Sequence, residues 1–581
     1  MDLATCPNLV KLFFDRAEAL GEHPFVWAKV DGHYRPQTWR EVASQVSDLA
    51  HALEVLGVQK GDRVVLVSEN RPKWLIADLA IMAAGAITVP AYVTNTIDDH
   101  RHIVDNSGAV GMIVSTAKLA KNALPAAHTS DALRFAITME AMERQQSLNV
   151  EVIDWSAALS RGRAAKTNVF HDAEALQRSD TACIIYTSGT GGVPKGVITS
   201  HGAILHNLAG AQAVLNTLGL GGDVFLSFLP LSHAYEHTAG QFFPIALGAQ
   251  IYYAEGADKL LANMAEARPT IIMAVPRLYE MMHARIVRGV EKEGGKKEAL
   301  FNKTLALGAK AFTSPQSLTL LEKIQNAVLG KLVRQKVAQR FGGRLKAFVS
   351  GGAPLNPDIG LFFTALGVRI LQGYGQTESG PVVCVNTPGT VKMHAVGPLL
   401  PNTEVKIASD GEILVRGELV MDGYWHDADA TRAAIQDGWL HTGDIGHIDA
   451  DGHLQITDRK KDIIVNSGGD NVAPQRIEGM LTLEPEISQA MVYGDKRPHI
   501  TALLVPDADG LQTSSVAEVH KALSAAVERV NARLSNVEKV RKFIIADEPF
   551  TIENAQMTPT MKVRRHKLIE VYGERLAALY S

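Results

Sequence analysis

Cysteine is scarce: the 581-residue chain has three, Cys6, Cys183 and Cys384, far apart. That excludes a disulfide framework, gives no metal-ligand spacing, and points to a reducing compartment. Long apolar runs are missing too. No stretch of about eighteen uncharged apolar residues occurs, so no transmembrane helix is expected. Asp2, Lys11, Asp15 and Arg16 interrupt the apolar start, so no secretory signal is read there. Neither sign of charge dominates: 58 Lys and Arg stand against 62 Asp and Glu. The resulting net charge of −4 argues against a nucleic-acid binder. Internal repeats and low-complexity blocks are also absent. What remains fits a globular protein, 46% hydrophobic and 21% charged. Its length calls for two or more domains. A cytoplasmic location is expected.

One ten-residue segment concentrates chemistry: Thr187, Ser188, Gly189, Thr190, Gly191, Gly192, Val193, Pro194, Lys195 and Gly196. Glycines let a backbone approach a ligand closely, and exposed N–H groups then form an anion nest. The hydroxyls add donors and Lys195 adds a mobile positive charge. This is equipment for a polyphosphate. The NTPase P-loop is excluded, because that signature needs Ser or Thr after its Lys and here Gly196 follows. The apolar run Ala182–Tyr186 before the segment reads as a buried strand. The loop is therefore expected at a strand end, where α/β sheets bind ligands.

The first 180 or so residues alternate strand and helix signals. Residues 63–68 read as a parallel strand, 74–84 as the helix after it, and 86–90 as the start of the next strand. The same rhythm is expected from Ile184 to about residue 380. From about residue 395, turn signals crowd together at Asp410-Gly411, Asp422-Gly423 and Asp451-Gly452, which fits a β-rich subdomain. A charged cluster, Asp458 to Asp462, marks the expected hinge. The predicted fold is thus α/β. A large N-terminal domain (1–458) holds parallel-sheet subdomains and the β-rich subdomain, and a small mobile α+β C-terminal domain (459–581) follows. Lys562 falls on a loop of that second domain, next to Pro559.

Further segments follow the phosphate loop in order. They are Ser350 to Pro354, Gly373 to Glu378, Asp437 to Asp444, Asp458 to Asp462, Gly468 to Val472, Pro474 to Glu478, and Thr558 to Lys562. Together the chain resembles the AMP-forming acyl-CoA synthetases of the adenylate-forming superfamily, over nearly its whole length. The runs DGWLHTGD and DRKKD, with Leu229–His233 and Pro276–Tyr279, resemble the long- or medium-chain fatty acyl branch.

The resemblance implies ATP, CoA and a fatty acid as substrates, with Mg²⁺. It implies that residues 187–196 hold the phosphates, and that Thr187 and Glu378 hold the metal; a hydroxyl and a carboxylate suit that hard cation. Tyr374, between Gly373 and Gly375, is implied to stack on adenine, with Thr377 beside it. Gly351, Gly352, Ala353 and Pro354 are implied to form the turn against the base. Asp444 is implied to accept both ribose hydroxyls, and Arg459 to make a second ribose and phosphate contact. Lys562 is implied to bridge the acyl carboxylate and the α-phosphate, a task suited to a compact charge on a long stem. Lys461 matches the hinge position, and Gly468 and Gly469 match backbone near the pantetheine tunnel. His233 matches a gate beside the acid's carboxylate. Position 191 departs from the family pattern, which usually has Thr, Ser, Glu or Ile; the expected effect of Gly191 is altered ATP affinity rather than loss of function.

Readings beside the fatty-acid ligase are a ligase for an aryl acid, one feeding a carrier protein, and a non-catalytic adenylate- or lipid-binding protein. Intact Glu378, Asp444, Arg459 and Lys562 oppose the last. Chain length, pathway and oligomeric state, a homodimer included, stay open. One stretch carries unbalanced charge: Met281 to Lys346 has 14 Lys and Arg against 4 Asp and Glu. Apolar residues recur there at helical spacing, at Leu321, Ile324, Val328, Leu332 and Val333. An ordinary solvated helical face is one reading. Peripheral contact with the anionic inner face of a membrane is the other.

Overall fold

The structure is a computed structural model. It describes residues 2–127, 130–142, 150–165, 173–187, 193–256, 258–507, 515–558 and 562–580. Two eight-stranded sheets form the bulk of the fold. One is built on parallel pairing of Ile370–Tyr374, Ala347–Ser350, Ile271–Ala274, Val224–Ser227, Gln250–Tyr253 and Pro24–Val30. Antiparallel strands Cys384–Val385 and His33–Thr38 close its two edges. The other runs in parallel from Thr181–Thr187 through Ile87–Ala91, Arg63–Val67, Gly111–Val114 and Phe135–Thr138 to Glu151–Asp154.

The expected βαβ start is present. The strand Arg63–Val67 leads to the helix Pro72–Ala83 and then to Ile87–Ala91, paired parallel to the first strand. Every residue from Trp74 to Ala83 in that helix is buried. It lies in the main apolar core, which also takes residues from both large sheets, among them Phe25, Phe225, Ile251, Cys183 and Ile185. An apolar helix of this kind is held by burial on all sides. One expectation is corrected in detail. After Thr181–Thr187 the chain turns back on itself as Lys195–Ser200, in antiparallel register. The strand-to-helix rhythm is broken there by a hairpin, and the helix His201–Leu215 follows the second strand.

The turn-rich region folds as a five-stranded antiparallel sheet from Glu404–Ile407 to Leu454–Arg459. A separate three-stranded sheet, Ile487–Tyr493, Ile500–Pro506 and Val540–Ile545, carries the C-terminal part with its own apolar core. That part meets the rest of the chain through polar contacts. Asn356 Nδ2 donates to the Gly479 carbonyl at 3.0 Å, and Arg277 Nη1 to the Ser488 carbonyl at 3.3 Å. Arg533 pairs with Asp358 at 2.6 Å and Arg288 with Asp507 at 3.1 Å. Among the described residues no helix is long and apolar enough to cross a membrane.

Candidate active site

The described ends of the phosphate segment face each other: Thr187 and Lys195 are partners in the hairpin register. Ser188, Gly189, Thr190, Gly191 and Gly192 lie outside the described residues. Lys195 is held by two neighbours. Its Nζ lies 3.4 Å from Asp427 Oδ2 and 5.2 Å from the centre of the Tyr424 ring. The Tyr424 hydroxyl in turn donates to Glu378 Oε1 at 2.9 Å. One tyrosine therefore links the phosphate-side lysine to the acidic residue of the Gly373–Glu378 segment. Burial, then the carboxylate of Glu378, pushes the Tyr424 phenol well above its ordinary range, so it stays a donor.

That segment is positioned by the first sheet. Gly373 and Tyr374 end the strand Ile370–Tyr374, paired with Val385 and Cys384. Gly375 then passes so close to the next loop that a Cβ would sit 1.9 Å from the Pro381 carbonyl oxygen. Only glycine permits that approach. Thr377 opens a single 3₁₀ turn, Thr377–Ser379, which carries Glu378. The neighbouring strand Ala347–Ser350 ends at Gly351, whose N–H donates to the Ala274 carbonyl at 3.1 Å. Gly352 takes φ +82°, a conformation that side chains disfavour, before Ala353 and Pro354. All these segments reach the same end of the parallel strands, the end at which open α/β sheets bind ligands.

Asp444 sits opposite them, buried, on the long strand Trp439–Ile448. The Tyr374 hydroxyl and Gln376 Nε2 both donate to its Oδ2, each at 2.7 Å. Arg459 Nε lies 3.2 Å from Oδ1, and Asp444 and Arg459 are cross-strand partners. A buried carboxylate needs such partners. Burial, then Asp444, holds the Tyr374 phenol protonated.

Lys562 completes the cleft from the C-terminal part. Its charge feels Arg459, Asp444 and Glu378, and it acts in turn on His233. Crowding by protein, then the like charge of Arg459, pushes its ammonium down to about 8. The side chain is nevertheless exposed at the surface, so the crowding is by neighbouring protein and not by enclosure in a core. His233 is held neutral, down to about 3, by burial and then by Lys562. Its Nδ1 accepts the Tyr235 N–H at 3.2 Å, which leaves the ring proton on Nε2. His233 is therefore a neutral donor and not a base.

The structure brings Glu378, Asp444, Arg459, Lys562 and His233 into one electrostatic environment, with Tyr374 bonded to Asp444. Lys461, Gly468 and Gly469 are exposed, and no contact joins them to it among the described hydrogen bonds and ion pairs. Gly468 and Gly469 belong to a turn whose Asn466 side chain accepts the N–H groups of Gly468 and Asp470, both at 2.9 Å. Sequence reasoning missed Gln376, Tyr424 and Asp427. Gln376 lies within the Gly373–Glu378 segment, but nothing in that local pattern assigns its amide a partner. Tyr424 follows Asp422-Gly423, which reads as a turn and nothing more.

Residues 13–425 match the AMP-binding enzyme family, and residues 461–581 match the AMP-binding enzyme C-terminal domain. The chain belongs to the AMP-binding enzyme family. Among its relatives, the long-chain-fatty-acid–CoA ligase FadD15 of Mycobacterium tuberculosis is 33% identical, over 99% of this chain and 97% of that protein. The peroxisomal long chain acyl-CoA synthetase 6 of Arabidopsis thaliana is 31% identical, over 95% of this chain and 82% of that protein. Within the same fold, the adenylation domain of a Mycobacterium chelonae carboxylate reductase superposes with a TM-score of 0.80 at 22% identity, over 100% of this chain and 92% of that one. An anthranilate CoA ligase in complex with anthranoyl-AMP gives 0.77 at 21% identity, over 99% of this chain and 100% of that one.

Gln376 gives this member of the family a testable positioning residue. Its amide fixes the oxygen of Asp444 that Tyr374 also holds. A hydrogen bond to a charged group contributes about 1.5–3 kcal/mol, so Gln376→Leu is expected to raise the KM for ATP roughly tenfold or more. Steady-state rates against ATP concentration, with kcat largely kept, check this. An unchanged KM would mean that Arg459 and Tyr374 suffice to hold Asp444.

Proposed function

We propose that this chain is an ATP-dependent acid–thiol ligase for fatty acids. The acid's carboxylate oxygen attacks the α-phosphorus of ATP and pyrophosphate leaves. The CoA thiolate then attacks the acyl carbon and AMP leaves, giving acyl-CoA. The observation that carries the reading is the electrostatic cluster of Lys562, Asp444, Glu378 and Arg459, in a chain similar end to end to long-chain-fatty-acid–CoA ligases.

In this reading Asp444 accepts the ribose hydroxyls and Arg459 adds a donor beside it. Tyr374 supplies its ring to the adenine, with Gly351–Pro354 on the other side. Residues 187–196 hold the β- and γ-phosphates, with Lys195 steered toward them by Tyr424 and Asp427. Lys562 spans the two anions that must approach each other, the carboxylate and the α-phosphate. Neutral His233 donates from Nε2 toward the acid without adding charge. Mg²⁺ fits the donor set. A Thr187 hydroxyl and a Glu378 carboxylate oriented by Tyr424 leave most positions to water and phosphate oxygens, as this ion prefers. Bound there, the ion neutralises phosphate charge as it develops.

The second step needs room for CoA, and the hinge supplies it. Residues 459–581 act as a lid that turns at Lys461 and brings Gly468 and Gly469 toward the pantetheine arm. The polar contacts that hold the lid are partly exposed, Arg533–Asp358 most of all, and such pairs are individually weak. The lid can therefore close and reopen within a catalytic cycle. The acid is collected from the anionic inner face of a membrane, through the basic region Met281–Lys346.

Pyrophosphate release measured over saturated acids of increasing length tests the assignment. The specificity constant is expected to rise toward long chains. Faster turnover of an aryl acid, or transfer to a carrier protein in place of CoA, would move the chain to another branch of the family.

A further inference from the structure

The basic stretch folds as a bundle of helices, Pro276–Glu293, Gly295–Thr313, Leu320–Leu329 and Gln335–Arg340, inserted between two neighbouring strands of the first sheet. Its third helix is oriented against the usual rule. Leu329 points inward and is 4% exposed. Leu320, Leu321, Ile324, Val328 and Leu332 point outward and are 77%, 64%, 56%, 51% and 49% exposed. The first four share one stripe at α-helical spacing, and Leu332 continues it on the π-helical turn Gly330–Arg334 that follows. Soluble proteins scatter exposed aliphatics singly, and a contiguous stripe marks a docking surface.

The charges around the stripe are mostly basic; Glu293, whose charge feels Lys336 and Arg340, is already paired with Lys297 at 2.9 Å. Lys323, Lys331, Lys336 and Arg340 are exposed and form no salt bridge among the described residues. The helix's one acid, Glu322, is already engaged: it closes the capping box with Thr319 and pairs with Lys310 at 2.8 Å. Arg334 does not belong to this surface. Its guanidinium is turned inward and donates to the Ala365 carbonyl at 2.7 Å and to Asn326.

We propose that the outward face of Leu320–Leu332 is a membrane-docking element, whose aliphatic stripe enters an anionic lipid surface while Lys323, Lys331 and Lys336 meet its phosphates. The proposal rests on the reading that the substrate is a fatty acid drawn from such a surface. Charge complementarity selects lipid. A second copy of the chain would set lysines against lysines. A lipid interface accepts a helix with an apolar stripe and basic flanks lying in its plane, and lysine stems reach up to headgroups as the stripe goes in. The bundle also begins beside the site: Pro276 follows the strand Ile271–Ala274, whose last carbonyl accepts the Gly351 N–H.

The test is cosedimentation of the full chain with phosphatidylcholine vesicles, with and without phosphatidylglycerol. Two variants are compared, Leu321→Gln/Ile324→Gln/Val328→Gln and Lys323→Glu/Lys331→Glu/Lys336→Glu. The native chain is expected to pellet with the anionic vesicles alone. Each variant is expected to bind at least about tenfold more weakly, given about 1 kcal/mol per basic residue near such a surface. Both variants should keep native turnover of a short, water-soluble acid, which shows that they fold. If the native chain pellets and the variants pellet equally, the docking face lies elsewhere and the membrane reading survives. If the native chain ignores anionic vesicles, both ideas fall. If the glutamine variant turns a dimer into a monomer in sedimentation velocity, the stripe's occupant is a second copy and the proposal is overturned.

Discussion

Lys562→Ala is expected to stop acyl-adenylate formation while leaving thioester formation from supplied acyl adenylate and CoA close to native. The lysine comes from the C-terminal part and its charge feels Arg459, Asp444 and Glu378. In the proposed reading it bridges two anions that repel each other only in the first half-reaction. Once the acyl–phosphate bond exists, that repulsion is gone. Losing a preorganised charge at such a position costs about a hundred- to a thousandfold in rate. Pyrophosphate release measures the first step, and acyl-CoA formed from synthetic adenylate measures the second. Equal losses in both would mean that Lys562 only holds the closed lid. A pH profile adds an independent reading. With the ammonium pushed down to about 8, kcat/KM for ATP should fall as pH rises through that value, because the neutral amine no longer bridges anions. His233, held down to about 3, contributes no inflection near neutrality.

The second large effect is expected at Glu378. Glu378→Gln keeps the shape and the Tyr424 hydroxyl contact but removes the charge. A metal ion supplies several kcal/mol of transition-state stabilisation, and losing about 3 kcal/mol is a loss of about a hundredfold in rate. The loss should shrink at high Mg²⁺ concentration, and Glu378→Asp should retain more activity than the glutamine variant. Near-native rates at ordinary Mg²⁺ would sink the assignment. They would leave Glu378 as a spacer for Tyr424.

Much of this was legible in the chain because backbone demands are written locally. Arg63–Val67 and its following helix announce themselves by apolar runs bounded by Gly61 and Gly85. The turns around Asp410 and Asp451 mark the five-stranded sheet, whereas the turn at Asp422 leads into Gly423–Tyr424, which pairs with Lys195–Ser200 in the second large sheet. The hairpin after Thr187 was not legible. Two apolar strands separated by a glycine-rich loop look alike whether the second pairs antiparallel or a helix intervenes. The pairing of Tyr424 with Glu378 and of Gln376 with Asp444 joins residues 46 and 68 positions apart, and no local pattern encodes it. Periodicity found the stripe at Leu321, Ile324 and Val328 but not its direction, because an apolar face looks the same whether it turns inward or out. Arg334 counted as surface charge in the sequence, and only packing shows it turned toward Ala365.

The helix Pro72–Ala83 poses a problem that burial alone does not solve. With nearly every side chain apolar and enclosed, few polar contacts are left to fix its rotation about its own axis. Asp78 removes that freedom. Its Oδ2 accepts from His237 Nε2 at 2.8 Å and from Gln241 Nε2 at 2.7 Å, all three buried. Burial disfavours the charged imidazole, but the neighbouring carboxylate overrides it and pushes His237 up to about 10. Any other rotation would leave a carboxylate in hydrocarbon with no donor. His237 also donates its backbone N–H to the His233 carbonyl at 3.0 Å. Asp78 thus works as a key: it admits one azimuth of the helix and, through one turn of backbone, ties that azimuth to the segment carrying His233.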